Sequence, residues 1–412
     1  MALGFSLLER ALAPIIRSGT LEMIGPSNER FILGDGSGEP VVVRFADHGA
    51  IWMLLLDPDL RTGELYTDDR LSMVSGDILD FLSLMLRNAG EVRPPLPTRF
   101  IDRARTAVQL WRQRNEPSRS RRNVAHHYDL GDELYALFLD PDWQYSCAYF
   151  EHPGQSLAEA QLAKKRHVAA KLCVEPHHRV LDIGCGWGGL ALYLAQVAEA
   201  ASVLGVTLST EQAQRARARI DPALASKVRF ELTDYRAVEG EFDRIVSVGM
   251  FEHVGLGHYG EFFRTCRARL AQDGVMLLHT IGCSDAPSVT NPWITKYIFP
   301  GGHLPSLSDI LKAVELQGLI VTDIEVLRLH YADTLAAWRA NFHARRAEAA
   351  RLFDERFCRM WDYYLAMSEA AFRFEDVVVF QLQIARRQDA APLKRDYVRE
   401  AEDRLRARER TS

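Results

Sequence analysis

Near the start of the chain the apolar residues Leu7, Leu8, Ala11, Leu12, Ile15 and Ile16 recur at helical spacing and predict an amphipathic helix. Alternating segments follow at 19–23, 29–33 and 40–45, with turns marked by Gly34-Asp35-Gly36 and Gly38. Together they predict a small α+β domain over residues 1–100, punctuated near its end by Pro94, Pro95 and Pro97. From Arg179 the period changes. Residues 179–183, 202–207, 228–232, 243–248 and 274–280 are short, near-continuous apolar runs rich in β-branched residues, as the strands of a parallel sheet covered on both faces must be. Helical stretches at 190–197, 210–220 and 258–270 separate them, so this region reads as a doubly wound α/β domain. Two more strand-like runs, 319–327 and 377–385, come after long insertions, one rich in Pro and Gly (283–317) and one helical (332–374). Inserts of that length usually carry function. The expected boundaries are a first domain at 1–100, a basic linker at 101–125, an α/β domain with its inserts at 126–390 and a charged, exposed helical tail at 391–412.

Composition narrows the classes. The 412 residues are 47% hydrophobic and 25% charged, an average globular make-up that excludes wholesale disorder and collagen-like repeats. Fifty basic against fifty-five acidic residues leave a net charge of -5, so no nucleic-acid partner is expected. One local excess stands out: residues 103–122 hold seven arginines against one acid, Glu116. A solvated helix and linker is the plainer reading, and a docking strip for anionic headgroups the sharper one. The six cysteines show no CxxC pair and no framework spacing, which favours free thiols in a reducing, cytosolic compartment; no metal is expected. Residues 1–19 are apolar but are interrupted by Glu9 and Arg10, with no cationic lead and no cleavage signal, and no run approaches the length of a spanning helix. Any membrane contact is expected to be peripheral.

The segment from Val180 to Gly189 reads as a strand entering a glycine turn that opens a helix. Glycine is needed there for the tight turn and for close approach of the backbone to a ligand. Gly184, Gly186 and Gly189 also fit the dinucleotide pattern GxGxxG, a weak signal alone. Asp182, two residues before the first glycine, directs a negative charge into the site, which suits a cationic amino-acid and sulfonium group better than a pyrophosphate. S-adenosylmethionine is therefore favoured over NAD. The acid usual at the end of the second strand is replaced by Thr207, leaving Thr207, Ser209 and Gln212 to supply hydrogen bonds. Asp234, after the third strand, suits the adenine end or equally the capping of a turn.

Several blocks, taken in order, resemble a known family: His127-Tyr128-Asp129-Leu130-Gly131, the run from Tyr145 to Phe150, Gly205-Val206-Thr207-Leu208-Ser209 with Gln212, Phe251-Glu252-His253-Val254-Gly255, His279-Thr280-Ile281-Gly282 and Phe299-Pro300-Gly301-Gly302. They are similar to the cyclopropane-fatty-acyl-phospholipid synthases and the related mycolic acid cyclopropane synthases. The likeness is strong over residues 123–386 and looser over the first hundred. It implies a class I S-adenosylmethionine-dependent methyltransferase fold, a Rossmann-like seven-stranded sheet with an antiparallel seventh strand, beside the small α+β domain. It implies a bicarbonate ion in the active site, with Cys147 and Ile281 at positions that donate backbone N–H groups and Glu252, His279 and Tyr331 at positions that reach the ion by side chains. Alone, His279 in an apolar strand reads as a satisfied core histidine; in register with Glu252 and Tyr331 it reads as a ligand. The cofactor residues expected are Tyr145, Ser146, Asp182, Gly184, Gly186, Gly188, Thr207, Gln212, Asp234 and Tyr235. Neither Cys147 nor Cys185 has a recognisable His/Asp arrangement, so neither reads as a nucleophile. Many relatives carry a cysteine where this chain has Ser368, so any role of that thiol is absent, and whether Glu369 enters the site is open.

The implied reaction adds a methylene from S-adenosylmethionine across the cis double bond of an unsaturated phospholipid acyl chain. Methyl transfer leaves a carbocation that aromatic faces can stabilise. Trp293, Tyr297, Phe299, Trp338, Phe342, Trp361, Tyr363, Tyr364 and Phe372 are concentrated in the inserts, most of them expected to pack the core and two or three to line an acyl channel. With cysteine usage that places the protein in the cytoplasm, the amphipathic N-terminal helix and the arginine strip would bring it to the anionic inner face of the membrane, and a homodimer is left open. The alternatives are a family methyltransferase giving a methyl-branched acyl product or methylating a small amine and, from another class, a non-catalytic lipid-binding protein.

Overall fold

Two sheets organise the computed structural model, which describes residues 3–89, 131–284 and 291–411. The chain divides into two units, the first comprising Met1–Leu110, Val289–Pro300 and Leu335–Asp376 and the second Trp111–Ser288, Gly301–Thr334 and Val377–Ser412. The arginine-rich stretch, the linker and His127 to Leu130 lie outside the described residues.

In the first unit β1 (Thr20–Ile24), β2 (Arg30–Gly34), β3 (Val41–Phe45) and β4 (Leu71–Ser75) form a sheet of order β2-β1-β3-β4. Val41, Val42, Val43 and Phe45 give β3 its buried run, and Asp47 starts the next helix, His48–Leu56, by accepting the Ala50 N–H at 2.9 Å. The helical insert belongs with this unit, which differs from the sequence-based boundaries: Glu355–Phe374 packs on the helices Pro58–Thr67 and Ile78–Ala89. Buried charge ties these pieces together. Asp362 accepts from Tyr66 Oη at 2.9 Å, Arg339 Nε at 2.7 Å and His343 Nε2 at 2.7 Å, and Arg339 also reaches Asp77 at 2.9 Å. Burial alone would raise the Asp362 carboxyl, but His343 and Arg339 outweigh it and hold it at about 2. The insert aromatics are largely core: Trp293 stands edge-on to Tyr363 at 4.7 Å and Trp361 to Tyr364 at 5.0 Å.

The second unit is built on β5 (Arg179–Ile183), β6 (Ser202–Thr207), β7 (Val228–Leu232), β8 (Phe242–Val248), β9 (Leu270–Cys283), β10 (Ile320–Val326) and β11 (Val377–Ala385), in the order β10-β11-β9-β8-β5-β6-β7. Strand β11 runs antiparallel to both neighbours while β5 to β9 are parallel, which is the class I, Rossmann-like sheet expected. The order reverses at β5, so the carboxyl ends of β5, β6 and β8 open a crevice at that point.

The tail expected to be exposed is instead docked. In the helix Asp396–Glu409, Val398 and Leu405 are buried in the core cluster that holds Val168 and Leu194, and Glu409 pairs with Arg166 at 2.9 Å. Its high charge reflects ion pairs across a packed surface. No helix among the described residues is long and apolar enough to cross a membrane.

Candidate active site

Strand β5 ends in Asp182 and Ile183, and the turn beyond it lies in the left-handed region at Gly184 (φ 81°), Gly186 (φ 54°) and Gly188 (φ 85°) before the helix Gly189–Gln196 begins. Those φ values explain why glycine stands there. A Cβ on Gly186 would meet nothing within 4 Å, so that face of the turn is open to a ligand. A Cβ on Gly188 would lie 2.6 Å from the Phe230 ring.

The cleft over this turn is lined by Tyr145, Ser146, Asp182, Gly184, Gly186, Thr207, Gln212, Asp234 and Tyr235 among others. Nine of the ten cofactor residues expected from sequence thus come together. Gly188 is the exception, because its place is against Phe230 and its service is to the turn. At the end of β6, Thr207 donates to Gln212 Oε1 at 2.9 Å, a neutral pair where an acid is usual. Asp234 both lines the cleft and caps the turn at Tyr235–Ala237, accepting the Arg236 N–H at 3.0 Å.

Asp182 is 1% exposed, and its Oδ2 has no hydrogen-bond partner among the described residues. Burial pushes its carboxyl up to about 7, with Lys164 pulling the other way. An orphaned buried carboxylate at the floor of a glycine cradle fits a cationic ligand, and the residues present therefore fit S-adenosylmethionine. Lys164 was not foreseen. It sits in the helix Leu157–Lys171, buried to 1%, and donates to Gln144 Oε1 and to Ser146 Oγ at 2.9 Å, two side chains of the cleft wall. Burial lowers its ammonium to about 8. Trp143, also unforeseen, lines the cleft with the Arg215 guanidinium 3.6 Å from its ring centre. No signal in the sequence marks either residue, since a lysine in a helix and a lone tryptophan read as surface and core.

Glu252 follows β8 in a short 3₁₀ turn, Phe251–His253. Its Oε1 accepts the Ile281 N–H at 2.6 Å, while Oε2 has no hydrogen-bond partner among the described residues. Burial pushes this carboxyl up to about 7, opposed by the Ile281 N–H and the Thr280 hydroxyl. Ile281 was expected to offer its N–H to an anion. That single proton is engaged by Glu252, so Ile281 acts here as the anchor of the carboxyl, because a buried donor takes the nearest strong acceptor. His279, two residues earlier on β9, is 2% exposed and lies opposite Gln381 of β11, whose Nε2 is 3.1 Å from Nδ1. Burial, with Lys164 adding to it, lowers the imidazole to about 3, so the ring is neutral, and with Nδ1 accepting, the proton is assigned to Nε2.

Cys147 is fully buried, with its thiol raised far above the ordinary range by burial, which fits the reading that it is no nucleophile. Burial does the same to Cys185. The segment carrying Cys147 is bound to the helix His330–Ala344, which carries Tyr331: Ala148 N–H donates to Thr334 Oγ1 at 3.0 Å and Phe150 N–H to His330 Nδ1 at 3.0 Å. Glu369, left open by the sequence, pairs within its own helix with Arg373 at 2.9 Å.

Comparison with known proteins agrees with this geometry. The pattern of the family described as mycolic acid cyclopropane synthetase matches residues 115–382. The chain is 40% identical over 355 residues, covering 84% of it and 88% of the relative, to the cyclopropane-fatty-acyl-phospholipid synthase of Escherichia coli (strain K12). It is 40% identical over 257 residues to a probable fatty acid methyltransferase of Pseudomonas putida, covering 60% of this chain and 65% of that one. Among solved structures, mycolic acid cyclopropane synthase CmaA1 complexed with SAH and CTAB superposes with a TM-score of 0.60 at 35% identity, over 64% of this chain and 97% of that one. With the sheet order, the glycine cradle and a match spanning most of the sequence in agreement, the chain belongs to the mycolic acid cyclopropane synthetase family, together with the cyclopropane-fatty-acyl-phospholipid synthases.

Proposed function

We propose that this S-adenosylmethionine-dependent enzyme is a cyclopropane-fatty-acyl-phospholipid synthase, adding a methylene to the cis double bond of unsaturated acyl chains in membrane phospholipids. The observation that carries the reading is the pair of buried carboxyls, Asp182 and Glu252, both pushed to about 7, one in the cofactor cradle and one fixed by the backbone of β9 beside His279. An alkene is a weak nucleophile and needs a strong alkylating donor held against it, for which orientation can lower the barrier by about 7 to 11 kcal/mol. Asp182 provides the countercharge for a donor bearing a sulfonium. S-adenosylmethionine bound there would supply the methyl group.

Ring closure requires a base for a proton of the new methyl group, and bicarbonate held by Glu252, His279 and Tyr331 would supply it. The chemistry of these groups supports a small anion: Nε2–H of neutral His279 would donate to it, and a Glu252 carboxyl pushed up to about 7 could carry a proton toward an anion oxygen. Ile281 holds Glu252 in place for that contact. Glu252→Gln and His279→Ala should each sharply reduce turnover; unchanged turnover in both removes the base assignment.

Access to lipid is supported by the first unit. The helix Leu3–Leu12 buries Phe5 and Leu8 but exposes Leu3, and the helix His48–Leu56 exposes Trp52 and Leu56. Co-sedimentation with anionic vesicles that is lost at high salt tests peripheral binding. The second reading, a fatty acid methyltransferase, is favoured by the Pseudomonas putida relative. Mass spectrometry and proton NMR of lipids from a bacterial host expressing the chain decide: a gain of CH₂ with ring-methylene signals supports the synthase, and a methyl-branched product overturns it.

A further inference from the structure

The family match ends at residue 382, yet the chain continues into the docked helix Asp396–Glu409, whose charged groups reach toward the segment that carries Cys147. The link runs through His167, a 3%-exposed residue of the helix Leu157–Lys171. Its Nδ1 is 2.6 Å from Glu402 Oε1 on the C-terminal helix and its Nε2 is 2.9 Å from Glu325 Oε2 on β10. With a carboxylate on each nitrogen, both must carry protons, so the ring is an imidazolium. That cation stacks flat on Tyr149, centroids 4.2 Å apart and planes 8° apart, and the other face of the stack is completed by His330 at 4.8 Å from Tyr149. A cation over an aromatic face is attractive, and more so when desolvated. The backbone on either side of Tyr149 makes the Ala148–Thr334 and Phe150–His330 bonds. The next residue, Glu151, is gripped by Arg166 at 3.1 Å and by Arg406 of the C-terminal helix at 2.6 Å.

We propose that the C-terminal helix is a strap that positions the active-site segment Cys147–Phe150, acting through Glu402 on His167, through the His167–Tyr149–His330 stack, and through Arg406 on Glu151. His167 is a positioning residue. This deepens the proposed function by adding a determinant of the same site, and it rests on that reading only for its consequence on turnover.

The charges facing His167 come from every element around it: Glu402 from the C-terminal helix, Glu325 from β10, Lys171 from its own helix, and His330 from the helix behind Tyr149. Arg395, at the start of the C-terminal helix, pairs with Glu325 at 3.1 Å and with Asp323 at 3.1 Å, and Lys171 also pairs with Glu325. Burial works against a charge on His167, but Glu325 and Glu402 outweigh it and raise its pKa. A raised pKa means the strap is intact below the ordinary histidine range and is released as pH rises through the folded value. Removing one carboxylate lowers that value, so release comes at lower pH.

The test is Glu402→Gln in the full chain, with Glu400→Gln, an exposed position of the same helix, as control. Hydrogen exchange at the Ala148 and Phe150 amides should quicken by about tenfold in Glu402→Gln, and the alkaline limb of the turnover profile should move down by roughly one pH unit. Glu402→Asp should restore both. The proposal is overturned if Glu402→Gln leaves both readouts at wild type, or if Glu400→Gln moves them equally. Should Glu402→Gln unfold, His167→Gln, with neutral hydrogen bonding at the same place, takes its place in the same measurements. Exchange needs no substrate, so a protein that makes no cyclopropane still tests the strap, and a strap that fails leaves the assignment of the reaction standing.

Discussion

Replacing Asp182 by Asn removes a charge while keeping the shape of the cradle, and the structure fixes the sign of the effect on stability. An acid whose proton is held more tightly in the folded than in the unfolded chain makes stability fall as pH rises from its unfolded to its folded pKa, after which the curve is flat. For Asp182 the window runs from 3.8 to about 7. At 1.36 kcal/mol per pH unit the full loss is about 4 kcal/mol. Glu252, raised from 4.5 to about 7, contributes in the same direction, whereas His279 and His253, lowered to about 3 and about 4, cost stability as pH falls below 6.5. The readable quantity is therefore the difference between variant and wild type. In urea unfolding of cofactor-free protein, the Asn variant should match wild type near pH 4 and exceed it by up to about 4 kcal/mol at pH 8. Calorimetric titration at pH 8 should show the reverse ranking for S-adenosylmethionine, with the variant weaker by about 10- to 100-fold, because a charge-assisted contact is lost. Wild-type affinity should also improve as pH rises through 7 while the variant's does not. A variant with wild-type pH dependence and wild-type affinity would mean that Asp182 neither titrates there nor faces the cofactor.

Other changes separate the parts of the structure. Lys164→Met should weaken S-adenosylmethionine binding by about tenfold in the same calorimetric titration, since Gln144 and Ser146 lose the ammonium that orients them. Gly186→Ala and Gly188→Ala should part company: both strain a left-handed backbone, but the first should chiefly lower cofactor affinity, while the second, 2.6 Å from the Phe230 ring, should lower the melting temperature by an amount corresponding to roughly 1–3 kcal/mol. Asp362→Asn takes the buried carboxylate from Arg339, leaving it only the more exposed Asp77, and should cost roughly 3 kcal/mol in chemical denaturation, with cofactor affinity in the second unit unchanged.

The sheet of the second unit was legible because its central strands β5 and β6 are mostly buried and largely apolar; these and the alternating edge strand β7 fall where the pattern places them. Strand β4 of the first unit was not, because Leu71–Ser75 is short, sits at an edge and buries only Leu71 fully. The glycine turn and Asp182 were legible because φ above zero and a ligand's charge restrict residue type. The helix Leu157–Lys171, started by reciprocal capping of Ser156 and Glu159, was not read from the sequence. Its Lys164, Lys165, Arg166 and His167 are all buried, a run that any periodicity argument assigns to solvent. Arg166 and His167 meet Glu409, Glu402 and Glu325, more than a hundred residues away in sequence, and only the fold brings them together. The same blindness made the docked C-terminal helix look like an exposed tail.

The buried charges of the two units obey one physical rule with two outcomes. Asp362 and Glu325 are desolvated, yet Asp362 is met by Arg339 and His343, and Glu325 by His167, Lys171 and Arg395, and the pKa of each is driven down. Such groups are ionised at any working pH and hold elements together. Asp182 and Glu252 are desolvated with no ion-pair partner among the described residues, and Lys164 is held by the neutral oxygens of Gln144 and Ser146; their pKa values drift to about 7, about 7 and about 8. A carboxyl left in that state costs stability at neutral pH, and a fold retains it only where something else gains from it. On the proposed function both carboxyls would be resolved by ligands, since a bound cation would return Asp182 to the charged form and an accepting anion would draw on the proton of Glu252. On that proposal, pairing separates the charges that build this protein from those that would act in it: a buried ion already satisfied by its own chain has nothing left to offer a substrate.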